Sequence, residues 1–161
     1  MDSKDKLVSV LAVSFAVMMI SLAFAKRSCA SELNLISYSI SKHIKSDKDT
    51  TKYNERNPAL GLELIGSKHG FTIGKYKDSY YTTAKYIGGL YLPYQTSHTK
   101  LGLMYGVVRS PSYLDNQVIP MVMPYFTAHW RTIGINVLYV PKFQKNGAHV
   151  IGVQFKMMLG D

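Results

Sequence analysis

The sequence predicts an all-β chain: an eight-stranded antiparallel up-and-down transmembrane β-barrel behind an N-terminal signal peptide. Three observations carry that expectation. Charged residues make up only 18% of the 161, while Tyr and Gly number 12 each, a bias that suits strands facing lipid or packing closely. After the leader come eight short runs, several strictly alternating, each bounded by turn residues. The connections between them alternate short and long from end to end, the asymmetry of a barrel threaded through a membrane.

The leader comes first. Leu7 to Ala25 is apolar, follows Lys4 and Lys6, and closes on Ala23-Phe24-Ala25, the order of a secretory signal peptide. Residues 1–25 are therefore expected to be removed, leaving 26–161 as the barrel domain. The alternatives are cleavage after Ser28-Cys29-Ala30 or an uncleaved anchor. The eight runs are Leu33–His43, Ala59–Gly66, Phe71–Asp78, Tyr80–Leu92, Lys100–Val108, Val118–His129, Ile133–Val140 and His149–Leu159. In the last, Ile151, Val153, Phe155 and Met157 share one face, and Gly152, Gln154 and Lys156 the other. In the first, Ile36, Tyr38 and Ile40 oppose Ser37, Ser39, Ser41 and His43. A soluble sheet would turn the apolar face inward; an even-stranded secreted barrel turns it to lipid and keeps polar groups inside.

Short turns fall at Ser67–Gly70, Gln95–Thr99 and Trp130–Thr132, and longer loops at Ile44–Pro58, Arg109–Gln117 and Pro141–Gly147. In an up-and-down barrel the odd-numbered strands all end at one rim. His43, Asp78-Ser79 and Arg109 thus converge at the long-loop mouth, although they are far apart in sequence. The single cysteine, Cys29, excludes an internal disulfide, and the scattered His residues predict no metal site. The net charge of +9 comes without an RNA-binding signature or basic helix, so no nucleic acid is expected. Basic groups near a barrel rim would equally meet anionic headgroups.

Several segments occur together in a recognisable order: Tyr53-Asn54-Glu55-Arg56, Lys77-Asp78-Ser79, Leu101-Gly102-Leu103, Ile119-Pro120-Met121-Val122-Met123-Pro124 and Tyr139-Val140-Pro141. As an ordered set they resemble the lipid A palmitoyltransferase (PagP) family, over residues 33–159. The resemblance implies an outer-membrane acyltransferase that moves a palmitate-like chain from a phospholipid donor to lipid A, as a monomer and without a cofactor. It carries the family's catalytic residues onto His43, Asp78 and Ser79, with His43 matched by its place at the end of the first run. His43 would be the base, Asp78 its partner, and Ser79 the nucleophile or a hydrogen-bond donor. Because Asp78 and Ser79 are neighbours, they share an inward direction only if the strand has already ended.

Proline removes a ladder donor, so Pro120, Pro124 and Pro141 are expected seams for lateral lipid access. Arg109, Lys75 and Lys77 are expected substrate contacts at the rim, or markers of the headgroup boundary. Glu63 and Lys156 fall on inward faces, positioned for a buried strut, and Glu55 and Arg56 for bracing the first long loop. The chain departs from the family in three ways. No amphipathic helix separates the leader from Leu33, no aromatic ends the last strand, and Gly88-Gly89 gives no secure match for the pocket floor. The rival readings are a non-enzymatic small outer-membrane barrel that binds lipid or modifies the host surface, and a soluble lipocalin-like carrier.

Overall fold

The computed structural model describes residues 32–44, 52–142 and 148–160; the expected leader lies outside them. Eight antiparallel strands close on themselves in sequence order. They are β1 (Glu32–Ile44), β2 (Arg56–Ile65), β3 (His69–Lys77), β4 (Thr83–Gln95), β5 (Thr99–Arg109), β6 (Val118–Trp130), β7 (Ile133–Val140) and β8 (His149–Gly160), with a 3-10 turn at Leu114–Asn116 before β6. The short turns gather at one rim and the longer loops at the other, as expected from hairpin connections. The tightest hairpin has two residues between β6 and β7, and it holds Arg131 at φ 52°.

The outer wall is apolar: Leu60, Leu62, Ile73, Leu101, Leu103 and Val122 are all exposed. Polar residues such as Asn34, Glu63, Thr72, Asn136 and Lys156 are buried inside. That inversion of the soluble pattern marks a transmembrane β-barrel and removes the lipocalin-like alternative. The interior is not uniformly polar, however. Met104, Met121, Met123 and Leu138 point into the lumen and form an apolar cluster with Val108 and Tyr125.

Several strand ends shift by one or two residues from the sequence reading, and the largest differences are at β2, which begins at Arg56 rather than Ala59, and at both ends of β4. β4 begins at Thr83 rather than Tyr80, because residues 78–82 form a turn organised by Asp78. At its other end β4 runs on to Gln95 through an irregularity at Leu92-Pro93, where the ladder cannot use a proline nitrogen. The face assignment of β1 also needs correction. A register shift between Ile36 and Tyr38, seen against both β2 and β8, reverses the alternation at Ser37. Ile36 is therefore buried at 1% exposure, whereas Tyr38 pairs with outward Phe155 and Ile40 faces out. Beyond the bulge, Ser39, Ser41 and His43 turn inward.

The short-turn half of the lumen is filled. Lys156 Nζ lies 2.6 Å from Glu63 Oε1, with both side chains 1% exposed, as the inward positions of these residues predicted. Tyr125 donates its hydroxyl to Glu63, and Asn136 Nδ2 donates to the same carboxylate at 3.0 Å. The charges are thus paired and further hydrogen-bonded, the condition for holding them out of water. Nearer the turns, Lys100 reaches Glu32 at 2.6 Å, and Ile65, Leu90 and Leu92 are fully buried.

The long-loop half is hollow. A cavity of about 760 Å³ runs down from the mouth, with Met104, Met121, Met123 and Leu138 on its walls and Tyr86 and Gln154 towards its floor. From Ala148, just before β8, the lining extends along that strand to Gln154, about 20 Å of extended chain at 3.3 Å per residue, or about 15 Å of depth at the usual barrel tilt. Gly61 and Gly74 face each other across β2 and β3. A methyl on either would lie 2.9 or 2.8 Å from the Tyr86 hydroxyl, so this glycine pair leaves the hollow that the phenol occupies.

Candidate active site

His43 and Ser79 meet at the mouth of the cavity, with His43 Nε2 and Ser79 Oγ 2.8 Å apart. The pairing has local causes. The bulge at Ser37 turns His43 inward near the end of β1, and β3 stops at Lys77. Ser79 therefore sits in the turn, free of strand alternation, and reaches across the rim. Tyr53 stacks on the imidazole with ring centroids 4.3 Å apart and planes inclined by 10°, which holds the ring orientation.

The carboxylate beside the imidazole is Glu55, a correction to the expectation that Asp78 partners His43. Glu55 Oε1 lies 3.8 Å from His43 Nδ1 and accepts the His43 backbone N–H at 3.2 Å. Lys42 Nζ is 3.3 Å from the other carboxylate oxygen. The bond from the His43 N–H chiefly holds the Glu55 carboxyl below its ordinary value, and slight burial opposes it. Glu55 does brace the first long loop, since its carbonyl accepts from Ser41 N at 2.9 Å. Its carboxylate also faces the candidate base.

Asp78 is fully buried and organises the turn. Its Oδ1 accepts from the Tyr80 and Thr82 backbone N–H groups, each at 2.9 Å. Its Oδ2 accepts from Thr82 Oγ1 and Ser112 Oγ, each at 2.5 Å, and from Ser110 Oγ. Burial raises its pKa, but the Ser110, Ser112 and Thr82 hydroxyls and the Tyr80 N–H outweigh burial and hold it below the ordinary value. Tyr81, within this turn, is held at φ 65°, in the left-handed region that costs a non-glycine residue free energy. Asp78 thus ties the Ser79 turn to the segment after β5.

Asn54 joins the two motifs. Its side chain donates to the Asp78 carbonyl at 3.0 Å, and its backbone N–H to the Ser79 carbonyl at 2.9 Å. Tyr113 lines the cavity mouth with Ser79 and Ser112. Burial pushes its phenol up to about 12, so it remains a hydrogen-bond donor at neutral pH.

The remaining expected residues lie elsewhere. Arg109 ends β5 on the outer wall, its Nε 3.0 Å from the Asn116 carbonyl. Lys75 and Lys77 face outward, and Lys77 donates to the Tyr81 carbonyl at 3.3 Å. None of these three lines the cavity. Pro120, Pro124 and Pro141 flank a gap in the sheet. β6 pairs with β5 throughout, Pro120 against Val107 and Pro124 against Leu103. Its pairing with β7 begins only at Tyr125 with Leu138. Val118–Pro124 and the end of β7 therefore face each other without a ladder, beside the cavity walls of Ile119, Met121 and Val140. Among the described residues no cluster of three or more His, Cys, Asp or Glu could hold a metal.

Sequence reasoning overlooked the Glu55–His43 contact, the stacking Tyr53, and the Ser110, Ser112 and Thr82 hydroxyls. The conspicuous Tyr53-Asn54-Glu55-Arg56 segment carried the first two; nothing in Ser110-Pro111-Ser112 distinguishes it from an ordinary turn. No protein-family model matches the chain, and no curated protein matches it. Among solved structures it is similar to the solution NMR structure of the de novo designed TMB2.3, at TM-score 0.55 and 11% identity over 84% of this chain and 100% of that one. A second structure, described as de novo design of transmembrane beta-barrels, gives TM-score 0.55 and 11% identity over 83% and 98%. The likeness is one of fold.

Proposed function

We propose that the protein is an acyltransferase of the bacterial outer membrane, moving a fatty acyl chain from a phospholipid onto lipid A. One observation carries the reading: a hydrogen-bonded His43–Ser79 pair stands at the mouth of a deep apolar cavity, beside a gap between β6 and β7 at the cavity wall. A phospholipid tail enters through the gap flanked by Pro120, Pro124 and Pro141. It lies along the Met-lined wall, with its ester carbonyl at the rim.

His43 Nε2 takes the proton from Ser79 Oγ as that oxygen attacks the carbonyl. Glu55 favours the imidazolium that forms, and the Tyr113 phenol is a candidate donor to the developing oxyanion. Collapse expels the lysophospholipid, whose oxygen recovers the proton from His43. A lipid A hydroxyl then attacks the acyl-Ser79 ester with the same base, restoring the serine. Asp78 keeps the Ser79 turn in place and does not touch the reacting atoms.

The test is mass spectrometry of lipid A from cells expressing the protein, beside Ser79→Ala and His43→Ala variants. The expected result is one added acyl mass in the wild type and none in either variant, with all three barrels inserted. An inserted wild type that leaves lipid A unchanged, with the acceptor present and the outer leaflet perturbed, refutes the transferase and leaves a lipid-binding barrel.

A further inference from the structure

The strand register brings two histidines together at the short-turn rim. Thr99 on β5 opposes Ala128 on β6, and one step nearer the rim the His129 N–H donates to the His98 carbonyl at 2.9 Å. His98 and His129 are thus a directly opposed cross-strand pair on one face of the sheet, where Cβ atoms stand about 5 Å apart. The turn that carries His98 is fixed by Thr96. Its Oγ1 accepts the His98 and Thr99 N–H groups at 3.3 and 3.0 Å, and its N–H donates to the Thr99 carbonyl at 2.8 Å.

The two imidazoles lie with ring centroids 5.8 Å apart and planes inclined by 77°. An imidazole nitrogen binds a transition metal at about 2.0–2.1 Å, which puts the ring centroid about 3.2 Å from the ion. Two rings sharing one ion, at an angle between tetrahedral and linear, are then about 5–6.5 Å apart. The observed separation falls inside that range. Among the described residues neither ring is committed to a hydrogen bond or an ion pair. The inward lysines beside them are already neutralised, each at 2.6 Å: Lys100 by Glu32, and Lys156, which shares the space over Gly134 with His129, by Glu63.

We propose that His98 and His129 form a two-imidazole site for a divalent transition metal, at the rim opposite the His43–Ser79 mouth. No third His, Cys, Asp or Glu is grouped with them among the described residues. Two nitrogen ligands without a carboxylate select Cu²⁺, with Ni²⁺ and Zn²⁺ behind it, and reject Mg²⁺ and Ca²⁺, which require oxygen. Water completes the coordination sphere. Bound metal ties the β4–β5 turn to the end of β6 and braces this rim, a role independent of acyl transfer. The two histidines are far apart in the chain, so their spacing shows no metal motif; only the register makes them neighbours.

Trp130 supplies the readout. It is the single tryptophan of the chain, and its ring lies 6.1 Å from that of His98, close enough for a paramagnetic ion to quench it. The full-length barrel in neutral phosphatidylcholine nanodiscs is titrated with Cu²⁺. Saturable quenching is expected at one ion per barrel, reversed by excess Zn²⁺ and unaffected by Mg²⁺. The electron paramagnetic resonance spectrum is expected to show two coordinated nitrogens. His98→Gln and His129→Gln should each bind at least about tenfold more weakly, whereas His69→Gln, on the same rim, binds as wild type does. Zn²⁺ is expected to raise the temperature of the heat-modifiable gel transition in the wild type and in neither variant. The same gels, run without metal, confirm that both variants are closed.

Wild-type affinity in either variant means an adventitious contact elsewhere and overturns the site. So does a spectrum with one coordinated nitrogen, and so does an absence of quenching in a closed wild-type barrel.

Discussion

Glu55 and Asp78 are both carboxylates of the same rim, with different tasks that follow from their surroundings. Glu55 is partly exposed and faces an imidazole; Asp78 is buried among hydroxyl and amide donors. Glu55→Gln keeps the shape and the backbone contact but removes the charge that favours a protonated His43. It is expected to lower the transfer rate constant about 10–100-fold with little change in KM, less than the roughly 10²–10⁴-fold that losing the base itself would cost. Asp78→Asn retains one acceptor for the Tyr80 and Thr82 N–H groups, and the surrounding hydroxyls can turn to accept from its amide. It is expected to keep more activity than Asp78→Ala, which leaves that ring of donors without an acceptor. Steady-state kinetics on the three variants checks the assignment, and equal losses in Asn and Ala would return Asp78 to the chemistry. Because its folded pKa is depressed, Asp78 contributes stability above the ordinary Asp value of about 3.9, and this is lost as pH falls through the lower folded value. Protection of the 78–82 amides in hydrogen exchange is therefore expected to persist at pH 5 and decline only below about pH 4.

At the scale of elements, the buried Glu63–Lys156 pair joins β2 to β8 across the lumen, and β8 pairs directly with β1. Removing one member strands the other charge in a dry interior. Lys156→Met is expected to destabilise the barrel by about 3–5 kcal/mol, whereas Glu63→Gln/Lys156→Met costs much less because no uncompensated charge remains. Urea titrations of the refolded variants in lipid would show the difference. A single variant no weaker than the double would mean the interior is wetter than its burial implies. The Arg131 hairpin offers the opposite case. A residue held at φ 52° costs about 1–2 kcal/mol over glycine, so Arg131→Gly is expected to raise stability by about 1 kcal/mol in the same titration.

For the whole molecule, the distribution of order is what gives the barrel a direction. Its short-turn half is packed with paired charges and large side chains, while its long-loop half is hollow and incompletely laddered between β6 and β7. A closed sheet leaves no lateral route, because every strand edge is hydrogen-bonded. Pro120→Val/Pro124→Val restores two N–H donors beside the gap and is expected to raise thermal stability while slowing acyl transfer several-fold. Faster transfer in the stabilised variant would mean that lipid enters elsewhere.

The strand count, the alternation of loops and the convergence of His43 with Asp78-Ser79 at one rim follow from the order of the residues alone. Period-two patterning and hairpin topology are local properties that survive without coordinates. The inward placement of Glu63 and Lys156 was legible for the same reason. Three features depended on the tertiary structure. The bulge at Ser37 reverses the faces of β1, and a one-residue insertion is invisible when serines and apolar residues alternate on both sides of it. The cavity was hidden because β6 is apolar on both faces, with Met121 and Met123 inside and Pro120, Val122 and Pro124 outside. Periodicity cannot rank two apolar faces. The assignment of Glu55 to His43 and Asp78 to its hydroxyls was settled by where the loops cross the rim, and loop crossings depend on contacts between residues distant in the chain.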